Sequence, residues 1–328
     1  MKVQNWKEKK VLVTGGAGFI GSHLVKKLLD MECDVYVADN FSRGRKENIE
    51  QFLDKIHLYQ MDLTKLENCV LATKGIDYVF HLAASVGGIQ YIKRENVEGS
   101  TPSILMNTNM LEASVKSDVE RFLFASSACV YKEKSLELNE FKEEDAFPAN
   151  PPTTYGWAKV MGEIQCRSYY LDYGLKTCSV RIFNCYGENE NLDLRWSHVI
   201  PSLIRKAISY PKKEFKLFGD GKQERAFLYV EDCVEGFRLA MEKITDGDVI
   251  NLGSEEVISI GKLAEKIVKL SGKDINIEYD LSGPQGTHRY CANTEKMKKV
   301  LGWSPKTPLD EGLKRTYEWE KGELNVEE

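Results

Sequence analysis

Several features are missing from this 328-residue chain, and each absence narrows its class. No stretch approaches the ~20 consecutive apolar residues of a membrane span, so no membrane partner is expected. The most apolar N-terminal stretch, Val11 to Val25, is broken by Gly, Thr, Ser and His and does not read as a signal-peptide core. There is no basic surplus: 45 Lys+Arg stand against 50 Asp+Glu, a net charge of −5. A general nucleic-acid binder needs such a surplus or a basic stripe, so nucleic acid is not an expected partner. Repeats and low-complexity tracts are absent, and only the acidic tail after Lys321 looks frayed. The eight cysteines form no CxxC pair and none falls with His at zinc-ligand spacing, so no metal is expected. Seven of them read as buried free thiols in a reducing cytoplasm, the expected location. Cys129 is the exception.

What is present describes a folded protein. Hydrophobic residues make up 42% and aromatics 10%, which excludes disorder. The length fits two domains or one large one, at ~150 residues per domain. In the first half, apolar runs such as Val11-Leu12-Val13, Asp34–Ala38, Tyr78–Leu82 and Arg121–Ala125 alternate with segments of helical spacing such as Ser22–Asp30. Continuous apolar strands separated by helices predict an α/β fold with a doubly wound parallel sheet. Tyr155–Tyr170 reads as a long helix and Lys176–Asn184 as a sixth strand. Beyond about Gly187 the segments become shorter and mixed. The expected division is residues 1–186 as a dinucleotide-binding domain and 187–328 mainly as a smaller substrate lobe, with some segments returning to the sheet.

Gly15, Gly18 and Gly21 lie directly after the first strand, and Phe19 and Ile20 open the first helix. This spacing lets the backbone turn tightly against a pyrophosphate, with the unpaired N–H groups of the helix start facing it. It predicts a Rossmann cofactor site. Asp39, followed by Asn40, ends the second strand. A carboxylate there accepts from a ribose diol and repels a 2′-phosphate, favouring NAD over NADP; the other reading of Asp39 is a helix cap. Arg43 and Arg45 follow and could serve a 2′-phosphate. Asp62, with Leu63, could reach the adenine or act as an N-cap. Leu82, Ala83 and Ala84 end the fourth strand with small residues suited to close approach.

Tyr155 and Lys159 form YxxxK on a helix, where residues four apart share a face. An ammonium beside a phenol lowers the phenol pKa from ~10 and makes a general base. Such a spacing is common by chance, and a surface Tyr–Lys pair would be the ordinary reading. Ser126-Ser127, at the carboxyl end of the fifth strand where ligands bind in open α/β sheets, changes that.

With these residues in hand, the sequence resembles the extended short-chain dehydrogenase/reductase family, specifically its nucleotide-sugar epimerases and dehydratases. The matching pieces are the glycine turn, Asp39, His81-Leu82-Ala83-Ala84, Ser126-Ser127, Tyr155/Lys159, Arg181–Gly187, Gly219–Arg225 and Leu301-Gly302-Trp303. They run in family order over almost the whole chain. The resemblance implies NAD as cofactor and a nucleotide-diphosphate sugar as substrate. It makes Ser127, Tyr155 and Lys159 the catalytic triad and gives Asn184 and Arg225 the diphosphate. It also implies a homodimer built on the Tyr155 helix and the helix before it.

The acidic pair of the 4,6-dehydratases is missing after Ser127. Instead Val86-Gly87-Gly88-Ile89 and Ser197–Pro201 are similar to the GDP-L-fucose synthases. Ser127–Tyr131, Asp145–Ala149 and Gly283–Gly286 are similar to the GDP-mannose 3,5-epimerases. Both groups invert carbons beside a keto group with an acid/base pair that includes a Cys where Cys129 stands; His198 occupies the partner position. A thiol of pKa ~8.5 and an imidazole of pKa ~6.5 both exchange protons near neutrality. Taken singly, Cys129 would read as a small packed residue and His198 as a polar helix start. Gly87, Gly88 and Arg289 join the expected substrate set, Arg289 standing in for an Arg that His288 replaces. Ser103 and Glu188 depart from the usual Asn and Pro.

The expected activity is therefore an NAD-dependent GDP-sugar 3,5-epimerase, with transient oxidation at C4. Rivals are an NADPH-dependent epimerase–reductase of a GDP-4-keto-6-deoxy sugar and a nucleotide-sugar 4-epimerase or C4 dehydrogenase. A catalytically idle binding protein is the rival of another class.

Overall fold

Strand β1 (Lys10–Thr14) is buried on both faces after its first residue, and its neighbours follow the same rule. The computed structural model describes residues 5–85, 97–132, 140–191, 198–282 and 288–326. Strands β2 (Asp34–Asp39), β3 (Ile56–Gln60), β4 (Tyr78–His81), β5 (Arg121–Ser127) and β6 (Lys176–Ile182) surround β1 in the sheet. After β7 (Cys185–Tyr186), β8 (Phe215–Phe218), β9 (Glu224–Ala226) and β10 (Leu228–Tyr229), β11 (Val249–Leu252) completes it. The order is β11-β6-β5-β4-β1-β2-β3, seven strands with every pairing parallel.

Strand alternation distributes the core. Val11 and Val13 point to one face, with Leu24 and Leu28 of α1 (Phe19–Asp30). Leu12 points to the other, with Cys69 of α2 (Leu66–Thr73) and Met110 of α3 (Val97–Lys116). Helix α4 (Thr154–Tyr173) packs beside α3 on that second face. Two buried layers explain why the strands read as continuous apolar runs rather than alternating ones.

Helices α5 (Val199–Ser209) and α6 (Val230–Lys243), strand β12 (Val257–Ser259) and helix α7 (Ile260–Ser271) come from the second half. They are followed by β13 (Ile277–Asp280), β14 (Arg289–Tyr290), α8 (Glu295–Leu301) and α9 (Leu309–Val326). Ile204 of α5, Leu263 and Ile267 of α7, and Leu313 of α9 form a separate apolar cluster, the heart of the smaller lobe. Phe237 of α6 and Met297 and Leu301 of α8 instead join the core on the α1 face, and β11 pairs with β6. Expected elements shift at their edges. Between β2 and β3, Lys46–Asn48 and Glu50–Phe52 form two short 3-10 turns. The sixth strand stops at Ile182 because Asn184 turns with φ 37°.

Glu188 and Ser103, two of the three departures from the family pattern, have structural partners. Glu188 accepts from the Tyr229 hydroxyl at 2.6 Å and Arg315 Nε at 3.2 Å, tying α9 to the strand-end loop. Ser103 Oγ accepts from the Ser85 amide at 3.0 Å.

Glu320 on α9 is 0% exposed and faces Arg205 of α5 at 3.6 Å, an ion-pair contact longer than a hydrogen bond. Burial pushes its carboxyl up to about 8; Arg205 holds it down and Glu190 adds to the rise. The folded chain thus holds a proton that the unfolded chain releases near the ordinary value of 4.5. This stabilisation is full below that value and is lost as pH rises through about 8. The variant Glu320→Gln, which imitates the protonated acid, should therefore gain on the wild type as pH rises from 5 to 9. The expected gain is on the order of 3 kcal/mol, several °C in Tm. Thermal melts across that range check this, and a wild-type-to-variant difference independent of pH would contradict it.

Candidate active site

The chain order reverses between β4 and β2 across β1, so a crevice opens at the carboxyl ends of these strands. A cleft of about 1750 Å³ occupies it. That exceeds the ~300–1,000 Å³ of a single small-ligand pocket and suits two large ligands end to end.

Its floor is the glycine turn. Gly15 has φ +70, and a Cβ there would stand 3.0 Å from Ala83 N; a Cβ on Gly21 would fall 2.1 Å from Gly15 O. Only glycine allows this approach of turn, helix and fourth strand. Gly18 caps α1 without a side-chain hydrogen bond, leaving the helix start to an anion. Thr14, His81 and Asn107 fix the facing loop. Thr14 Oγ1 accepts from the Leu82 and Ala83 amides, both at 3.1 Å. It pairs with His81 Nδ1 at 2.8 Å, and His81 Nε2 with Asn107 Oδ1 at 3.0 Å. Burial, with Lys159 next, pushes His81 down to about 3, so the ring is neutral. Nε2–H then donates to Asn107 and Nδ1 accepts from Thr14.

Asp39 is buried at the tip of β2. It accepts from Ala17 N at 3.0 Å and Phe41 N at 2.8 Å, clamping the glycine turn to the strand end. Burial raises its carboxyl above the ordinary value against these backbone donors. Arg45 pairs with Glu323 at 3.2 Å, and both Arg43 and Arg45 line the cleft. Asp62 Oδ1 accepts from the Thr64 amide and hydroxyl at 2.9 and 2.8 Å, an Asx turn at the cleft edge. Phe19, Ile20, Asn40, Leu63, Leu82, Ala83 and Ala84 also line the cleft. An uncapped helix start, a ribose-height carboxylate and a small-residue wall together fit a dinucleotide.

Deeper in, the two serines of β5 part company by strand alternation. Ser126 Oγ donates to buried Glu163 at 2.5 Å, and Glu163 takes both Nε and Nη2 of Arg181, at 2.9 and 2.8 Å. This fully bonded network fastens α4 to the sheet. Ser127 Oγ lines the cleft, accepts from Cys129 N at 3.1 Å and acts to lower the pKa of the neighbouring Tyr155 phenol. Gly156 lets α4 approach: a Cβ there would fall 2.3 Å from Cys129 O.

Lys159 Nζ donates to Ala125 O at 2.6 Å and lies 5.5 Å from the Tyr155 ring centroid. Burial pushes Lys159 down to about 8. Burial also raises the Tyr155 phenol, with Cys129 adding to the rise and the Ser127 hydrogen bond opposing it. The lowered phenol expected from the Tyr–Lys spacing is therefore not found in the protein alone. Burial outweighs an ammonium that is directed at a carbonyl, and forming the phenolate needs further positive charge in the cleft.

Cys129 is half-buried in the 3-10 turn Ala128–Val130. Burial raises its thiol, against the Ser127 hydrogen bond and Lys159. His198 caps α5, with its side chain 57% exposed, and pairs through Nδ1 with the carboxylate of Glu190. Burial opposes charging the ring, but the charge and hydrogen bond of Glu190 outweigh it and raise its pKa. Cys129, His198, Asn184 and Arg225 line the same cleft as Ser127, Tyr155 and Lys159. Asn184 Nδ2 donates to Ala226 O at 3.0 Å.

Arg289 is turned away from the cleft, toward Glu224 at 3.4 Å and Glu140 at 4.0 Å. Its β14 neighbour Tyr290 faces in, and its hydroxyl donates to Ala128 O at 2.5 Å. Successive residues of a strand take opposite faces, so only one of the two can enter. Gly87 and Gly88 lie outside the described residues. All eight cysteines are free; Cys185, read from sequence as buried, is half-buried and lines the cleft. Glu190 and Tyr290 were missed from sequence. Neither has a spacing signal: Glu190 follows the left-handed Asn189 outside any helix or strand, and only strand pairing turns Tyr290 inward.

Comparison with known proteins agrees with this geometry. The sequence model described as the NAD dependent epimerase/dehydratase family matches residues 11–253. GDP-mannose 3,5-epimerase 1 of Oryza sativa subsp. japonica is 34% identical, over 99% of this chain and 85% of its own. GDP-L-fucose synthase of Sinorhizobium fredii is 33% identical, over 94% and 95%. The crystal structure of UDP-glucose 4-epimerase from Thermotoga maritima, with UDP-glucose, superposes with TM-score 0.86 at 31% identity, over 96% and 99%. The chain belongs to the NAD-dependent epimerase/dehydratase family and is an NAD-using enzyme of the epimerase class.

Proposed function

We propose that the protein is a GDP-sugar 3,5-epimerase of the GDP-mannose type, working by transient oxidation at C4. The observation that carries the reading is that Cys129 and His198 line the cleft of Ser127, Tyr155 and Lys159. A 4-epimerase needs only the latter three; two further protonatable groups suit inversion beside a ketone.

The glycine turn and Asp39 would hold NAD, which would supply a reversible hydride acceptor for C4. Tyr155, beside Ser127, accepts the C4 hydroxyl proton, and Lys159 supports the phenolate. The resulting ketone acidifies the hydrogens at C3 and C5. Cys129, as thiolate, removes one from one face of the ring. His198, whose protonated form Glu190 favours, delivers one to the other face. Arg225 and Asn184 hold the diphosphate, Arg225 by its forked guanidinium. Residues 1–186 serve mainly the cofactor and 187–328 mainly the nucleotide sugar. The Arg45–Glu323 pair and the clamped Asp39 favour NAD over NADPH. The GDP-sugar names of the two relatives above favour guanine over uracil.

Incubation with GDP-mannose, GDP-4-keto-6-deoxymannose and UDP-glucose, with products identified by proton NMR, tests this. Epimers at C3 or C5 of a GDP-sugar are expected. A product inverted at C4 alone would overturn the reading.

The same proposal includes a cytoplasmic homodimer. Trp157, Met161 and Ile164 share one face of α4 and are 48%, 44% and 45% exposed; Leu105 on neighbouring α3 is 44% exposed. A second copy packed there would complete a four-helix contact. Sedimentation should find a dimer that the double variant Met161→Lys/Ile164→Lys converts to monomer. A wild-type monomer at micromolar concentration would contradict it.

A further inference from the structure

We propose that Glu190 is a positioning residue for the inversion step, holding His198 by Nδ1 so that Nε2 exchanges the proton with substrate. The inference rests on the reading of His198 given above.

The arrangement is specific. Glu190 is nine-tenths and more buried, while His198 opens to the cleft. One carboxylate oxygen takes His198 Nδ1; the other has no hydrogen-bond partner among the described residues. Asn189, with φ +66, turns the chain before it. The Asn189 side chain donates to Ser22 Oγ at 3.1 Å, and its carbonyl accepts from Asn48 at 3.4 Å. Glu190 is thus pinned to α1, the helix of the cofactor turn, and holds a ring that belongs to the substrate lobe. A carboxylate on one imidazole nitrogen fixes the tautomer and stabilises the imidazolium. Nδ1 carries hydrogen and Nε2 is left for chemistry.

Two other titratable groups interact electrostatically with Glu190. One is Glu320 of α9, whose carboxyl burial pushes up to about 8 and which lies 3.6 Å from Arg205 of α5. The other is Cys185 of β7, and burial raises its thiol well above the ordinary value.

Nitrogen-15 NMR of the histidine rings, in the whole protein across pH, reads the tautomer directly. His198 should be the Nδ1–H form, with a pKa above the ordinary ~6.5. In Glu190→Gln that pKa should fall by a unit or more. Deuterium exchange at C3 and C5 should fall at least tenfold more than reduction of bound NAD by the same sugar. Its pH profile should move to lower pH. Glu190→Ala, which loses the hydrogen bond as well as the charge, should fall further.

A His198 pKa unmoved by Glu190→Gln overturns the inference whether or not the enzyme is a 3,5-epimerase. Equal loss of both activities also overturns it, since that marks a structural role. If the variants fail to fold, an Nε2–H tautomer or an ordinary pKa in the wild type overturns it. A correct tautomer and pKa with no C3 or C5 exchange in the wild type would instead reject the function reading and, with it, the role assigned to Glu190.

Discussion

Tyr155→Phe should lower turnover about 10³-fold and leave a folded protein that still binds cofactor. The phenol lies with Ser127 in the cleft, and removal of its hydroxyl leaves α4 packed by the Glu163–Arg181 pair, which does not involve it. General-base removal typically costs ~10²–10⁴ in rate. The upper part of that range applies because no other described side chain holds its place: Ser127 is spent on the Cys129 amide, and Lys159 on the Ala125 carbonyl. Reduction of bound NAD by nucleotide sugar, followed by the absorbance of reduced nicotinamide, checks this. A loss under tenfold would mean that another group takes the C4 proton.

Cys129→Ser and His198→Asn should have the second largest effect, and of a different kind. Exchange at C3 and C5 should fall ~10²–10³-fold in each, while C4 oxidation survives to a much greater extent. The thiol and imidazole act after the ketone has formed. Serine is a far weaker acid than a thiol, and asparagine neither gains nor loses a proton near neutrality. Single-turnover NAD reduction beside deuterium uptake separates the steps. Parallel loss of both in either variant would place that residue in binding or folding.

Much of this was legible in sequence because it depends on local spacing. The glycine turn, Asp39 and the YxxxK pair act through residues a few positions apart on elements whose periodicity is strong. The doubly wound sheet followed from continuous apolar strands, since burial on both faces leaves no alternation to misread. The rest depended on contacts that spacing does not encode. Arg289 and Tyr290 are adjacent, and only the register of β14 on β9 decides which one faces the cleft. Glu190 meets His198 after a left-handed turn at Asn189 that no periodicity signals. The Tyr155 phenol was expected to be acidified by Lys159. Its full surroundings reverse that sign, because desolvation of a buried phenolate outweighs an ammonium aimed elsewhere. Residues carrying chemistry were thus easier to name than the electrostatic state in which they rest.

The central claim is that the cleft oxidises C4 and then inverts a neighbouring carbon. Incubation with GDP-mannose in D2O, followed by proton NMR of the recovered nucleotide sugar, tests it most directly. The account predicts deuterium at C3, C5 or both, none at C4, and bound NAD unchanged at the end. Inversion at C4 with no deuterium at C3 or C5 would contradict it.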